Sequence, residues 1–231
     1  VPPSAFPSAL PSALPMTLVI LVADGARPDT LFGAIDAGLL PALAAVRRDG
    51  SAHTVTSVFP SVTGPAYTPF LMGLHPGEAG VPGIRWWDRS GDRAYAHGNA
   101  RSYVGFEALP QDGDLTRARP TLFELAERPL AAFTPIGRGL SDAQRIGAAI
   151  PSWPRIAWHH FRGDTQGWLR IERELAARTC ARVDAERPDF VFIAHPGVDK
   201  LSHRSGQGAP EVLDALRIVD HTVARLRDDA A

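Results

Sequence analysis

A threonine, two aspartates and a histidine have the settings to do chemistry in this sequence. Thr63 stands in Phe59-Pro-Ser-Val-Thr63-Gly-Pro-Ala-Tyr67, which brings one hydroxyl to a turn at the start of a predicted helix. Gly64 and Pro65 suit a turn into a first helical position, and Tyr67, Phe70, Leu71 and Leu74 recur at helical spacing. A hydroxyl there meets unpaired backbone N–H groups and the positive end of a helix dipole, the environment that stabilises an alkoxide or a phosphoryl oxygen. The plainer role for such a threonine is a helix cap. Asp24 ends the apolar run Leu18–Ala23 and precedes Gly25. An acid at the carboxyl end of a buried strand lies where open α/β sheets place their ligands, although it can equally start the turn or cap a helix. Asp199 and His203 follow a second apolar run, Asp189–Ala194, and lie four residues apart. On one turn of helix they face the same way and can hold a divalent cation, zinc above all, although surface pairs with this spacing are also common.

The elements that must position these residues follow from the apolar patterning. Leu18–Ala23 and Asp189–Ala194 are continuous apolar runs, as expected of strands covered on both faces by helices. His53–Val58 alternates and is rich in Thr and Val, which predicts a strand ended by Pro60. Ala37–Arg48 predicts a helix with Gly50 as its C-cap, Thr121–Glu127 a short helix stopped by Pro129, Ala131–Ile136 a strand, and Ser141–Ala149 a helix opened by a serine cap. Gln166–Glu186 is a long helix with Cys180 on its apolar face, where it serves as a small core residue. Pro210–Arg227 is the last helix, with Asp220-His221 assigned to its solvated side. The segment Gly80–Arg89 reads as an irregular loop folded over the site, its Trp86 and Trp87 either stacking on a planar substrate group or roofing the core. Residues 90–115 read as an excursion from the sheet, and Gly137-Arg-Gly139 lacks the third glycine of a dinucleotide loop. The alternation of strands and helices predicts an α/β fold with a mostly parallel central sheet and helices on both faces.

With 231 residues and 45% hydrophobic content, the chain can bury a substantial core. A formal net charge of −1 gives no electrostatic footprint for nucleic acid or an anionic membrane, so any phosphate recognition is local. The single Cys180 cannot form an internal disulfide or a cysteine-based zinc cage. No apolar run is long enough to span a bilayer, and residues 1–15, with their repeated Pro-Ser-Ala-Leu, read as a flexible leader without the features of a secretory signal. These features set an expectation of a cytoplasmic protein, with a single α/β domain over 16–231. Neither Val1 nor the run to Ala231 has the look of a natural terminus, so the sequence is expected to be part of a longer one.

Taken together, the motifs resemble the type I phosphodiesterases, the nucleotide pyrophosphatase/phosphodiesterase group of the alkaline phosphatase superfamily. The resemblance rests on Val22-Ala-Asp24-Gly-Ala-Arg-Pro-Asp29, on Phe59-Pro-Ser-Val-Thr63 running to Gly73-Leu-His-Pro-Gly-Glu-Ala-Gly80, and on Asp199-Lys-Leu-Ser-His203-Arg-Ser-Gly206, which stand in the family's order. It implies an alkaline-phosphatase-like fold and a hydrolase that cleaves phosphodiester or pyrophosphate bonds through a phosphothreonine. It makes Thr63 the nucleophile and a metal contact, Asp24 a ligand of the metal that activates it, and Asp199 with His203 ligands of a second metal, both expected to be zinc. Such an enzyme acts on a small phosphodiester or nucleotide.

The departures from the family pattern are specific. An Asn that contacts a phosphate oxygen in the family corresponds here to Ile84, and Arg85 beside it is the candidate to supply a charged fork instead. The later Ser-Asp-His-Gly motif and a further distal His, which complete the family's metal shells, do not occur before Ala231. His195 and His221 are left outside the site. The competing expectation is therefore a catalytically silent α/β binding domain, or an inactive part of such an enzyme. A sulfatase-like reading lacks a suitable Cys, and no Gly-x-Ser-x-Gly elbow marks a serine hydrolase. Trp86, Trp87 and Tyr103 suit a nucleobase and a lipid-like or glycerol diester equally, so the residues leave the substrate open, as they do the oligomeric state.

Overall fold

The computed structural model describes residues 16–89, 99–102, 111–147, 158–159 and 162–228. The leader at 1–15, Tyr103, and the end of the predicted 141–149 helix lie outside the described residues. In chain order the elements are β1 (Leu18–Ala23), α1 (Pro28–Asp36), α2 (Pro41–Asp49), α3 (Thr68–Met72), α4 (Pro76–Ala79), β2 (Arg85–Trp87) and β3 (Ala100–Ser102). They continue with α5 (Leu122–Leu125), β4 (Pro129–Ala132), β5 (Arg145–Ile146), α6 (Thr165–Glu186), β6 (Phe190–His195), α7 (Gly197–Ser205) and α8 (Pro210–Asp228). Among the described residues no single helix is long and apolar enough to cross a membrane.

The sheet is parallel, in the order β1-β6-β4-β5. All six residues of β6 are buried, because strands flank it on both edges and helices cover both faces, which is why its sequence is apolar without alternation. Side chains still alternate by face. Phe190, Phe192 and Ala194 pack with Tyr67, Leu71 and Phe123 on one face, while Val191 and Ile193 pack with Leu130, Leu175 and Val183 on the other. Phe192 meets the Tyr67 ring at 5.8 Å and the Phe123 ring edge-on at 6.2 Å, tying the Thr63 side of the molecule to the central strand. Val212, Ala215 and Leu216 of α8 pack against Trp168 and Leu169 of α6 and Val198 and Leu201 of α7. Register pairs Ala23 with His195, so β1 and β6 end level, and the chain leaves both at the same rim.

Several local expectations shift. Residues 51–58 form no strand: the segment is irregular, with Val55 80% and Phe59 94% exposed. Its alternation is that of a strand, but β1 is an edge of the sheet and no described strand lies beyond it to complete a ladder, without which the backbone groups stay solvated. The Gly80–Arg89 loop is partly regular, since β2 pairs antiparallel with β3, setting Trp86 opposite Arg101. Trp86 packs half-buried on the core, and Trp87 is exposed. The predicted 37–48 helix starts later, at Pro41, as α2 with Gly50 as its C-cap, and an additional helix, α1, precedes it over Pro28–Asp36, each begun by its own proline. The Ala131–Ile136 strand starts earlier, at Pro129, and stops where Phe133 turns left-handed at φ 56°. Ser141 does form a capping box with Gln144, but after one 3-10 turn the chain joins β4 as β5, tertiary pairing overriding the local signal. Asp220 is not solvated: it is buried and accepts the Leu43 N–H at 2.8 Å, satisfying an orphan amide in the first turn of α2.

Asp189 joins the start of β6 to the turn before β4, its two carboxylate oxygens accepting the N–H groups of Glu127 and Arg128 at 2.8 Å each. Burial alone would raise its carboxyl, but these amides hold it below the ordinary carboxylate range. A depressed folded-state pKa stabilises above the unfolded value, and that stabilisation is lost as pH falls through the folded one. Asp189→Ala is therefore expected to cost about 1 kcal/mol at neutral pH, with the difference from wild type closing in strongly acidic solution, as read by urea unfolding at several pH values.

Candidate functional site

Three turns converge at the rim where β1 and β6 end. Asp24 is fixed there by its backbone, whose N–H donates to the His195 carbonyl at 3.0 Å. Gly25 then turns at φ 72°, and a Cβ on it would lie 2.6 Å from the Asp199 Cα and 2.8 Å from its Oδ1, so only glycine permits both the turn and the approach of α7. Asp199 sits in the first turn of α7 and His203 one turn on, with Nε2 3.3 Å from Asp199 Oδ1. The helical spacing read from the sequence thus brings carboxylate and imidazole together, with the imidazole well exposed.

Thr63 arrives from the other side. Gly64 takes φ 91°, and a 3-10 turn at Pro65–Tyr67 leads into α3. Neither the turn nor α3 is capped by a side chain, so the hydroxyl is free of the role that competes with chemistry. Instead Thr63 Oγ1 donates to Asp24 Oδ2 at 2.9 Å, across 39 positions of sequence. Burial pushes the Asp24 carboxyl up and the facing Asp199 carboxylate adds to this, against hydrogen bonds from Thr63, Tyr67 and the Gly25 amide. Tyr67, which the sequence marks only as a core residue, is thus also a partner of the acid.

Asp24, Thr63, Asp199 and His203 therefore share one rim. Arg85 is exposed on β2, and no hydrogen bond or ion pair joins it to any of these four among the described residues. His195 faces away from the rim, its Nδ1 3.0 Å from Glu172 Oε1 on α6, and His221 is exposed on α8. A buried Glu172 on a helix with a broad apolar face is legible only as an exception to that face; nothing in the sequence names its partner.

Carboxylate oxygens and an imidazole are donors that suit a divalent cation, and the Asp199 charge that adds to the upward push on the Asp24 carboxyl is what such a cation relieves. Asp24 with Thr63 and Asp199 with His203 make two partial donor sets. Among the described residues no group of three or more His, Cys, Asp or Glu is placed to hold a metal ion.

The type I phosphodiesterase / nucleotide pyrophosphatase family model matches residues 18–231. The chain is similar to the crystal structure of phosphonoacetate hydrolase from Sinorhizobium meliloti in complex with phosphonoformate, with a TM-score of 0.67 and 21% identity over 93% of this chain and 54% of that one. The complex of the same hydrolase with phosphonoacetate matches with a TM-score of 0.66 and 20% identity over the same shares, 93% and 54%. The chain thus spans about half the length of these structures, and likeness at this identity speaks for the fold. No curated protein sequence matches significantly.

Proposed function

The chain belongs to the type I phosphodiesterase / nucleotide pyrophosphatase family, and from that premise we propose that it carries the nucleophile of a metal-dependent hydrolase acting on phosphodiester or pyrophosphate bonds. The observation that carries the reading is the 2.9 Å hydrogen bond from the Thr63 hydroxyl to Asp24, in a turn where a cap would otherwise claim it. Thr63 Oγ attacks phosphorus, the bond to the leaving oxygen breaks, and water then hydrolyses the phosphothreonine to restore the hydroxyl. Asp24 orients the attacking oxygen along one line. Divalent cations, zinc on the family pattern, held by Asp24 with Thr63 and by Asp199 with His203, would supply a lowered hydroxyl pKa and neutralise charge on the attacked group. A small phosphodiester or nucleotide is the substrate class; the solved relatives hold the small phosphorus oxyanions phosphonoformate and phosphonoacetate.

The absence of a three-donor cluster among the described residues favours one second reading, an α/β domain that keeps the rim of Asp24, Thr63, Asp199 and His203 without turnover. The two separate in one experiment. Zinc-supplemented protein mixed with bis(p-nitrophenyl) phosphate and quenched in acid is expected to yield a peptide with a p-nitrophenyl phosphoryl group on Thr63. A folded, zinc-loaded protein that gives neither adduct nor p-nitrophenolate would establish the silent domain instead.

A further inference from the structure

Beside His203, on the neighbouring face of α7, lies a recess of about 390 Å³ lined by His159, Asp164, Trp168, Lys200, His203 and Arg204. Its floor is Trp168, only 7% exposed, whose buried indole N–H meets no acceptor among the described residues. Lys200 Nζ stands 5.7 Å from that ring's centroid. Arg204 is seated over Gly163, where a Cβ would come 2.1 Å from its Nη1, so the glycine gives the guanidinium its place.

Two cations line this recess, Lys200 and Arg204, and Lys200 also feels the neighbouring Asp199. Lys200 and Arg204 are one turn apart on α7, and like charges at that spacing repel. Neither forms an ion pair among the described residues. The acid that lines the recess, Asp164, is already engaged: Oδ2 lies 2.9 Å from His159 Nδ1, and Oδ1 accepts the Gly167 N–H at 2.8 Å. An ammonium, a guanidinium and an indole N–H, all donors, therefore surround one recess.

We propose that this recess is a subsite for a second anionic group of the substrate, a carboxylate or phosphate separate from the phosphoryl group set against Thr63. The inference rests on the phosphoryl-transfer reading above, and His203, which faces Asp199 and also lines the recess, joins the two places. Arg204 supplies a planar fork for two oxygens, Lys200 a point charge, and Trp168 an apolar wall with one donor. A recess of about 390 Å³ leaves room for an anionic group together with the part of the substrate that carries it.

Calorimetric titration of the metal-free protein with inorganic pyrophosphate, inorganic phosphate and dimethyl phosphate tests this without requiring turnover. Pyrophosphate is expected to bind most tightly, and Arg204→Gln and Lys200→Met each to weaken it about tenfold or more, with melting temperatures held. Pyrophosphate affinity that is undetectable in wild type, or unmoved in Arg204→Gln and Lys200→Met, overturns the subsite. Phosphate binding as tightly as pyrophosphate also overturns it, since the recess would then hold a free ion and no second group of a substrate. Failure of the catalytic reading looks different: Arg204-dependent binding would persist in a protein that never forms the Thr63 adduct.

Discussion

Thr63→Ala is expected to lower hydrolysis of bis(p-nitrophenyl) phosphate by zinc-reconstituted protein by about 10³-fold or more, the scale on which loss of a covalent nucleophile acts. Melting should barely change, because Thr63 is exposed and its hydroxyl bonds only Asp24 rather than a helix end. Thr63→Ser keeps the hydroxyl at the same turn and is expected to retain a measurable part of the rate. The contrast separates chemistry from scaffolding: a cap would tolerate Ala at a cost in stability, whereas a nucleophile tolerates only another hydroxyl. Equal turnover in Thr63→Ala and wild type would take Thr63 out of the reaction and leave Asp24 without a substrate-directed role.

The part of this site that was readable in sequence is the part set by local spacing. Asp199 and His203 come together because four residues make one helical turn, and Asp24 lies at the rim because the apolar run of β1, an edge strand that is only partly buried, ends before an acid and a glycine. Thr63 was readable as a turn residue, yet its choice between capping and chemistry depends on Asp24, which only the folded chain brings within 2.9 Å. Where prediction failed, the deciding partner was distant. The 51–58 segment has a strand's alternation but no neighbour to pair with, and Ser141's helix signal yields to the β4–β5 ladder. Asp220 looks solvated on its helix until Leu43, from 177 positions earlier, presents an amide. Arg85, the candidate beside Ile84, is exposed on β2 and makes no hydrogen bond or ion pair with the four rim residues among the described residues.

His195→Leu is expected to be the most destabilising single change near the rim, by about 3–5 kcal/mol in urea unfolding, because it strips a buried carboxylate of its partner. His195 is 0% and Glu172 2% exposed, and their 3.0 Å contact spans α6 and the last residue of β6. The same carboxylate packs against the start of α7, since a Cβ on Gly197 would lie 2.7 Å from Glu172 Oε2. One buried pair therefore sets the height of both acids of the site, through the His195 carbonyl that holds the Asp24 amide and through the helix that carries Asp199. Desolvation makes the pair a poor source of net stability, so Glu172→Met combined with His195→Leu should recover most of the loss. Its value lies in position rather than in strength. If that is right, the double variant will fold nearly as well as wild type yet bind zinc more weakly, by about 10- to 100-fold, as measured by competition with a chromophoric chelator. A stable double variant with unchanged zinc affinity would mean that Gly25, packed directly on Asp199, is enough to hold the two acids in place.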